Sequence, residues 1–461
     1  MTQTLDVTRQ VDRQPVGSLL CGLLALCLLV TLADGYNISV TSFAGPALIK
    51  TWHLNRAALG PLLSSSLIAG LVGPFLFGVL ADRVGRRNAM IASTLMIGGF
   101  GIVSGFCDSL TSMVAVRFIA GIGMSGALAV TVATINEFAP RRVRATFVTI
   151  VFSGTTIGSG LPGLVAPTLL ANYGWPSLFF LGGSIPLVLA IALYAFMPES
   201  PKFLSLRPSR HAELAKLLQR ADPALRVEPD ATFTLGEDSK EGASLSPTRL
   251  FVGKLAILTP LLWFGAFVAM IVFHSFNTWL PTLLPDAGLT DKQASYTVAM
   301  FQFVGTLGGW VIMRPLDRFG MVPCTALYVL SLPLVACLAW YSGSPSTLML
   351  LVPIAGFCIL GLHFAQVSCV SSVYPTAIRA TGVGWFVLIA RVGGAVGPLI
   401  VGALTAQHVS LKNLFYLATL PLGVGAVASV AVTLIYNAHY HRVGADSAPL
   451  PAGPVAADRT A

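Results

Sequence analysis

Apolar runs of about 20 residues, the length that crosses a hydrocarbon core, alternate with short polar breaks along nearly the whole chain. Such a chain cannot fold every run into one water-bounded core. Segments of this kind are expected to cross a bilayer as helices, because a helix satisfies its own backbone hydrogen bonds where water is absent. Twelve spans are predicted, near 18–40, 59–80, 89–106, 111–135, 145–170, 178–197, 256–280, 294–316, 322–341, 347–373, 380–404 and 413–437. The expected fold class is an all-α membrane protein of two six-helix bundles. Charged residues make up 10% of the chain, against about a quarter in a soluble domain.

The formal net charge of +9 would suit a nucleic-acid binder only if the basic residues shared a surface, and they do not. With the N-terminus inside, the inner loops and tails receive Arg9, Arg13, Arg83, Arg86, Arg87, Arg141, Arg142, Arg144, nine Lys/Arg in a central loop, then Arg314, Arg318, Arg379, Arg442 and Arg459. The inner total is 22 and the outer loops hold four, Lys50, Arg56, Lys292 and Lys412. This asymmetry satisfies the positive-inside rule with both termini cytoplasmic. The lipid bilayer is therefore the expected partner, nucleic acid is not, and a bacterial inner membrane is the expected location. The first run has a basic flank but no convincing small-residue cleavage site, so it reads as a retained span. Seven cysteines lie mostly in apolar runs without metal-ligand spacing or a paired framework, which fits small buried hydrophobes and no metal.

The longest polar stretch divides six spans from six. The expected organisation is a cytoplasmic tail over 1–17, a bundle over 18–197, a cytoplasmic loop over 198–255, a second bundle over 256–437 and a tail over 438–461. Within the loop, Leu214, Leu217 and Leu218 fall on one face of a surface helix. Asp82-Arg-Val-Gly85 recurs as Asp317-Arg-Phe-Gly320, and Pro140-Arg-Arg-Val-Arg-Ala-Thr146 as Pro375-Thr-Ala-Ile-Arg-Ala-Thr381, both 235 residues later. One shared offset in two places marks the halves as copies of like topology. Parallel repeats of this kind bind their cargo between the halves near the midplane.

Between spans 2 and 3 lies Gly78-Val-Leu-Ala-Asp82-Arg83-Val-Gly85-Arg86-Arg87, where glycines permit a tight turn and close helix approach and the charges can bond across helix ends. The segment resembles the loop 2–3 signature of the major facilitator superfamily. Asp34-Gly-Tyr36-Asn37, Gly174-Trp175, Phe180-Leu-Gly-Gly183, Pro198-Glu-Ser-Pro201, Tyr374 to Trp385, and Arg391-Val-Gly-Gly394 together resemble the aromatic acid:H+ symporter family over about 18–437. The proline-glutamate-serine-proline element is shared with sugar porters and discriminates little. The resemblance implies the major facilitator fold, proton-coupled import of a hydroxybenzoate- or benzoate-like acid by alternating access, a monomer, and no cofactor. Where that family usually carries a second acid in span 1, this chain has Asn37, so a two-carboxylate scheme does not carry over.

From the residues alone, Asp34 is the only acid well inside a span, and an isolated intramembrane carboxyl marks a proton relay. It lies roughly 24 Å along span 1, at a level similar to Arg117 in span 4. The two are expected to face each other, either as a proton-coupling pair or as a static ion pair that fixes packing. Arg391 lies near the midplane of span 11, where a cation costs at least ~2.5 kcal/mol on insertion scales. A substrate carboxylate, helix-end carbonyls, or Asp34 from the other half would each offset that cost. Tyr36, Asn37, His274, Asn277, Trp279, Gln302, His363 and Gln366 lie at suitable depth to flank a substrate, or to serve as interhelical hydrogen-bonding residues. His274 and Asn277 share a helical face. At the inner ends, Glu137 with Arg141 and Arg144, and Asp317, Arg318 and Arg379 in the second half, are expected to gate. Glycines 154, 158, 160 and 163 in span 5, and 393, 394 and 397 in span 11, would let helices slide in contact. No nucleophile–base pair, paired carboxylates or metal cluster stands within the spans, which argues against an enzyme, and no appended signalling domain argues for a sensor. Another organic anion, such as sialate or lactate, remains an alternative cargo, because an arginine recognises the carboxylate without the ring.

Overall fold

The computed structural model describes residues 4–223, 225–228, 231–235 and 247–446. Lys240, Arg459 and the tail beyond 446 lie outside the described residues, as does the side chain of Arg442. Twelve spans thread the molecule: Ser18–Trp52, Leu59–Ala69 continued by Gly73–Val84, Arg86–Ser104, Leu110–Phe138, Arg141–Tyr173, Pro176–Phe196, Leu255–Leu283, Asp291–Phe319, Val322–Trp340, Pro345–Val373, Thr376–Ala406 and Leu411–Asp446. Among the described residues eleven of these are apolar and long enough to cross a membrane by composition alone. Span 3, diluted by Arg86, Arg87 and Asn88 in its first turn, completes the twelve. Large apolar side chains such as Val188, Ile191, Val427 and Leu434 are exposed, the outward belt that lipid requires and water would penalise.

Two spans differ from expectation in ways that matter. Span 1 runs on to Trp52 and ends on His53 in the left-handed conformation. Span 2 is broken at Gly70–Val72, where the amides of Gly70, Leu71 and Val72 turn back to Leu67, Ile68 and Ala69 in tighter, three-residue bonds.

The duplicated sequence folds into duplicated packing. Spans 1 and 5, 2 and 4, and 3 and 6 lie against each other, and the same pairs recur six spans later as 7 and 11, 8 and 10, and 9 and 12. Small residues make these approaches close. Gly158 sits on the Leu32 backbone of span 1, and Gly393 on the Phe267 backbone of span 7. Gly160 and Gly163 instead meet Phe303 and Ala299 of span 8, so span 5 uses one glycine row within its half and another between halves.

The segment before span 1 is structured rather than a free tail. A strand Thr4–Asp6 pairs in parallel with Thr232–Thr234 of the central loop, with Thr4 opposite Thr232. The helix Val7–Arg13 follows. Val7 and Val11 bury with Leu214, Leu217, Leu218 and Phe233, so the amphipathic loop helix, His211–Ala221, closes a small core under the first half.

Contacts between halves gather at the face opposite the termini. Arg56 grips Asp286 with both guanidinium nitrogens, one of them at 2.8 Å, and Lys50 meets Asp291 at 3.4 Å. Below them the backbones of spans 2 and 11 meet at Gly60 and Gly402. Toward the termini, the second segment of span 2 packs on span 4 instead, with Gly73 against Ser125 and Phe77 against Gly126. Among the described residues, the ion pairs that join the halves lie at the face opposite the termini.

Candidate functional site

Four charged or titratable side chains converge where the halves meet at mid-depth. Asp34 comes from span 1, His274 from span 7, His363 from span 10 and Arg391 from span 11. Asp34 is almost fully buried and its Oδ1 has no hydrogen-bond partner. The charge that acts on it is Arg391, from the other half, and the same guanidinium acts on both histidines. His274 lies against Gly394, three residues beyond Arg391, and its Nδ1 is unpartnered. Phe273 stacks on His363, with centroids 6.1 Å apart and planes 6° from parallel. The neighbouring Phe273–His274 and His363–Phe364 pairs are edge-on. A cation, an acid, two imidazoles and a flat aromatic wall are therefore brought to one region between the halves, with Asp34 buried and the other three half-buried.

Arg391 satisfies one donor within the protein: Nη1 bonds the carbonyl of Gly70, at the break in span 2, at 2.9 Å. The helix-end carbonyl and Asp34, two of the three partners weighed for this arginine, both act on it here.

The expected Asp34–Arg117 pair does not form. Arg117 is wholly buried between spans 1, 4 and 6, donates to the backbone carbonyl of Asn37, and lies 5.7 Å from the Phe179 ring; its Nε and Nη1 have no partner. Depth placed the two side chains at one level, but rotation about span 1 points Asp34 at the interface and Asn37 into its own half.

Rotation reassigns other candidates too. Tyr36 donates to the Leu178 carbonyl at 3.1 Å, and Asn37 to Ala33 and Gly182 at 3.0 and 2.7 Å, so both pin span 1 to span 6. An aspartate at 37 would meet those two carbonyls with no donor to offer. Trp279 donates to Pro398 at 3.1 Å and Gln366 to the Tyr328 hydroxyl at 2.7 Å, both inside the second half. Asn277 and Gln302 do reach the interface. They bond each other, Asn277 lies 3.4 Å from Ser39 of span 1, and Thr306, one turn past Gln302, donates to Thr156 of span 5 at 2.7 Å. Trp310 donates to Ser153 at 2.7 Å and extends this seam. Ser39, Ser153, Thr156 and Thr306 escaped the sequence reading because isolated hydroxyls in apolar helices usually bond their own backbone.

The residues expected to gate also find other partners. Arg86 bonds Asp82 at 2.7 Å and Glu137 at 3.0 Å, and Glu137 accepts from Ser200. Arg141 and Arg144, expected beside Glu137, pair with Asp12 at 3.0 and 3.5 Å. Gly85 takes φ +99°, and the Glu199 carboxylate fills the space where a Cβ would stand while accepting from the amide of Arg87. The element that discriminates little by resemblance thus receives the loop 2–3 motif. Gly78 has nothing within reach of a Cβ, so close helix approach is not its role. In the second half Gly320 repeats the positive φ of Gly85, Arg379 donates to the Tyr374 carbonyl at 3.2 Å, and Arg318 lies 5.3 Å from the Phe319 ring. Asp317 forms no ion pair among the described residues, and the place of Glu137 is taken by Ser372. The two inner-end clusters are unlike in chemistry despite like topology.

Duplicated six-span bundles, a charged site between them and the loop 2–3 motif define a secondary-transporter architecture, and residues 27–398 match the Major Facilitator Superfamily model, so the chain belongs to that superfamily of membrane transporters and is not an enzyme. Within it, the chain is 30% identical to the 4-hydroxybenzoate transporter PcaK of Pseudomonas putida over 437 residues, covering 95% of this chain and 97% of the relative. It is 32% identical to the gallate transporter of the same species, covering 93% and 95%, and 26% identical to the benzoate transport protein of Acinetobacter baylyi, covering 95% and 94%. Among solved structures it resembles a D-xylose-proton symporter at 18% identity and TM-score 0.67, covering 90% of this chain and 97% of that one. An inward-facing bacterial homologue of the lysosomal transporter Spinster gives 15% identity and TM-score 0.66, covering 94% and 99%.

Proposed function

We propose that this protein is a monomeric proton-coupled importer of an aromatic carboxylate, with Arg391 as the carboxylate ligand and Asp34 as the proton carrier. The observation that carries the proposal is geometric: a buried acid with an unpartnered oxygen on span 1, and an arginine of the other half that reaches across the interface to span 2, with the Phe273–His363 wall in the same half as the arginine. A guanidinium binds a carboxylate bidentately, and a flat aromatic wall suits a benzoate ring. The hydroxybenzoate, gallate and benzoate transporters among the relatives support the same cargo class.

Coupling follows from competition. When Asp34 is ionised it balances Arg391, and a second anion is poorly held. Protonation of Asp34 leaves the guanidinium to the substrate carboxylate, and the loaded site is then neutral enough to reorient through the low-dielectric interior. Loss of the proton on the far side returns Asp34 to Arg391 and ejects the anion. The basic residues on the termini face make that face cytoplasmic by the positive-inside rule, so the conformation sealed at the opposite face is the inward-facing one. Two bundles, 18–197 and 256–437, rock about the site, with the Asp82–Arg86–Glu137 cluster and its weaker counterpart at Asp317, Arg318 and Arg379 as inner gates.

The test is uptake by proteoliposomes under an imposed proton gradient, with a competition panel of benzoates, hydroxybenzoates and aliphatic acids. Asp34→Asn is expected to abolish gradient-driven accumulation while leaving exchange measurable, and Arg391→Ala to cost at least tenfold in affinity. Undiminished accumulation by the first variant, normal affinity in the second, or equal competition by aliphatic acids would each remove the corresponding part of the proposal.

A further inference from the structure

In an unbroken helix the Gly70 carbonyl would accept from the backbone nitrogen of residue 74. That residue is Pro74, which has no N–H. The carbonyl is left orphaned in the buried break of span 2, where an unpaired acceptor is costly, and Arg391 of span 11 satisfies it at 2.9 Å. The break is held from behind, because Gly121 and Ser125 of span 4 pack on Ser66 and Gly73 on either side of it. A Cβ at residue 70 would stand 2.8 Å from the Leu67 carbonyl oxygen and 3.2 Å from Nη1, so glycine leaves room for both the turn and the guanidinium. Span 2 meets span 11 at two levels, the Gly60–Gly402 backbone contact and this bond.

We propose that the Gly70 carbonyl, freed by Pro74, replaces the substrate carboxylate on Arg391 in this conformation, which makes Pro74 a positioning residue for substrate release. The inference rests on the reading of Arg391 as the carboxylate ligand. A neutral carbonyl suits the role because it satisfies one donor of the guanidinium without cancelling its charge. The anion can therefore still bind through the remaining N–H groups, but a bidentate grip that uses this Nη1 hydrogen must displace a bond already made. The same bond ties span 2 to span 11 after release, so the empty carrier holds a defined geometry at mid-depth. In the conformation sealed at the other face the two spans separate at Gly60–Gly402 and the carbonyl withdraws, which leaves Arg391 free to capture cargo.

The experiment uses the full-length protein in oriented vesicles, with 4-hydroxybenzoate and benzoate as probes and KM measured separately from each face. Pro74→Ala supplies the missing N–H, which takes the Gly70 carbonyl into the helix ladder. A charge-assisted bond of ordinary strength is worth about tenfold, so KM from the termini face is expected to fall about tenfold. KM from the opposite face should stay within twofold, and maximal uptake should fall because release slows. Gly70→Ala is the second variant; alanine shares the φ −59°, ψ −17° of this position, but its Cβ would stand 2.8 Å from the Leu67 carbonyl oxygen, so the turn must shift and the folded yield is measured alongside KM. Its Cβ crowds Nη1 off the carbonyl and should move the same KM in the same direction. A purely structural role for Pro74 would instead raise KM on both faces or lower the amount of folded protein. Unchanged termini-face KM in either folded variant, with Arg391→Ala still losing affinity, would overturn this inference alone. Normal affinity in Arg391→Ala would overturn the functional reading beneath it.

Discussion

The balance between the two conformations is set partly at the face opposite the termini, and its size can be worked out from the Arg56–Asp286 pair. Both groups are near half-exposed, at 45% and 39%, so their attraction is screened by water and falls in the range of surface pairs, about 0.2–1 kcal/mol. The two-nitrogen grip places it toward the upper end. Lys50–Asp291, at 3.4 Å with 74% and 64% exposure, adds only a few tenths by the same reasoning. Both pairs join one half to the other, so their energy counts only while this face is sealed. Asp286→Asn is therefore expected to shift the ratio of conformations by about fivefold toward the opposite one, since 1.4 kcal/mol corresponds to tenfold. Paired nitroxides at Asn55 and Lys292 in a cysteine-free background, read by pulsed EPR, would report the shift as growth of a longer distance. Salt should move the wild type in the same direction, because exposed charges are screened over about 8 Å at physiological ionic strength. The swap Arg56→Asp with Asp286→Arg should restore the original distribution. A distribution that responds neither to Asp286→Asn nor to salt would refute the reasoning and leave sealing to the apolar and glycine contacts alone.

Other expectations follow from single contacts. Gly402→Leu forces bulk against the Gly60 backbone and should hold the same face apart, with a larger change in the Asn55–Lys292 distance than Asp286→Asn gives. Tyr36→Phe removes the bond to the Leu178 carbonyl, which keeps its place in the helix ladder, and should lower stability by about 0.5–1.5 kcal/mol in thermal unfolding while leaving substrate KM unchanged; a large KM effect would return Tyr36 to the binding site. Gly85→Ala meets both a positive φ and the Glu199 carboxylate, so a loss of about 1–3 kcal/mol is expected in the same measurement, and a neutral result would mean that Glu199 does not hold this loop.

Much of the candidate site was legible because the bilayer makes depth a function of sequence position. Asp34, Arg117 and Arg391 stood out as ionisable residues inside apolar runs, and 1.5 Å per residue set their levels. Depth does not set direction. Asp34 and Asn37 are three residues apart, yet one faces the other half and its neighbour donates to Gly182 in its own half. Gln302 and Gln366 are equally polar and both lie inside spans of the second half, but one joins the seam between halves and the other bonds Tyr328 within a half. Which way a helix is rotated depends on how its small residues fit the next helix, and that fit belongs to pairs of helices.

The sequence by itself determined the repeated crossing of a bilayer, the duplication through the 235-residue offset, the tight turn at Gly85 and the presence of an unpaired cation in span 11. These are properties of composition, length and local backbone chemistry, so the chain states them directly. Tertiary structure decided the partners. Arg391 meets a carbonyl 321 positions away, Glu137 takes Arg86 rather than Arg141 or Arg144, and Asp12 of the first segment takes those two. Pro74 escaped the sequence reading, in which span 2 is one run. That its orphaned carbonyl would fall to Arg391 follows only once spans 2 and 11 are packed, because a hydrogen bond requires a distance and an angle that no linear pattern contains.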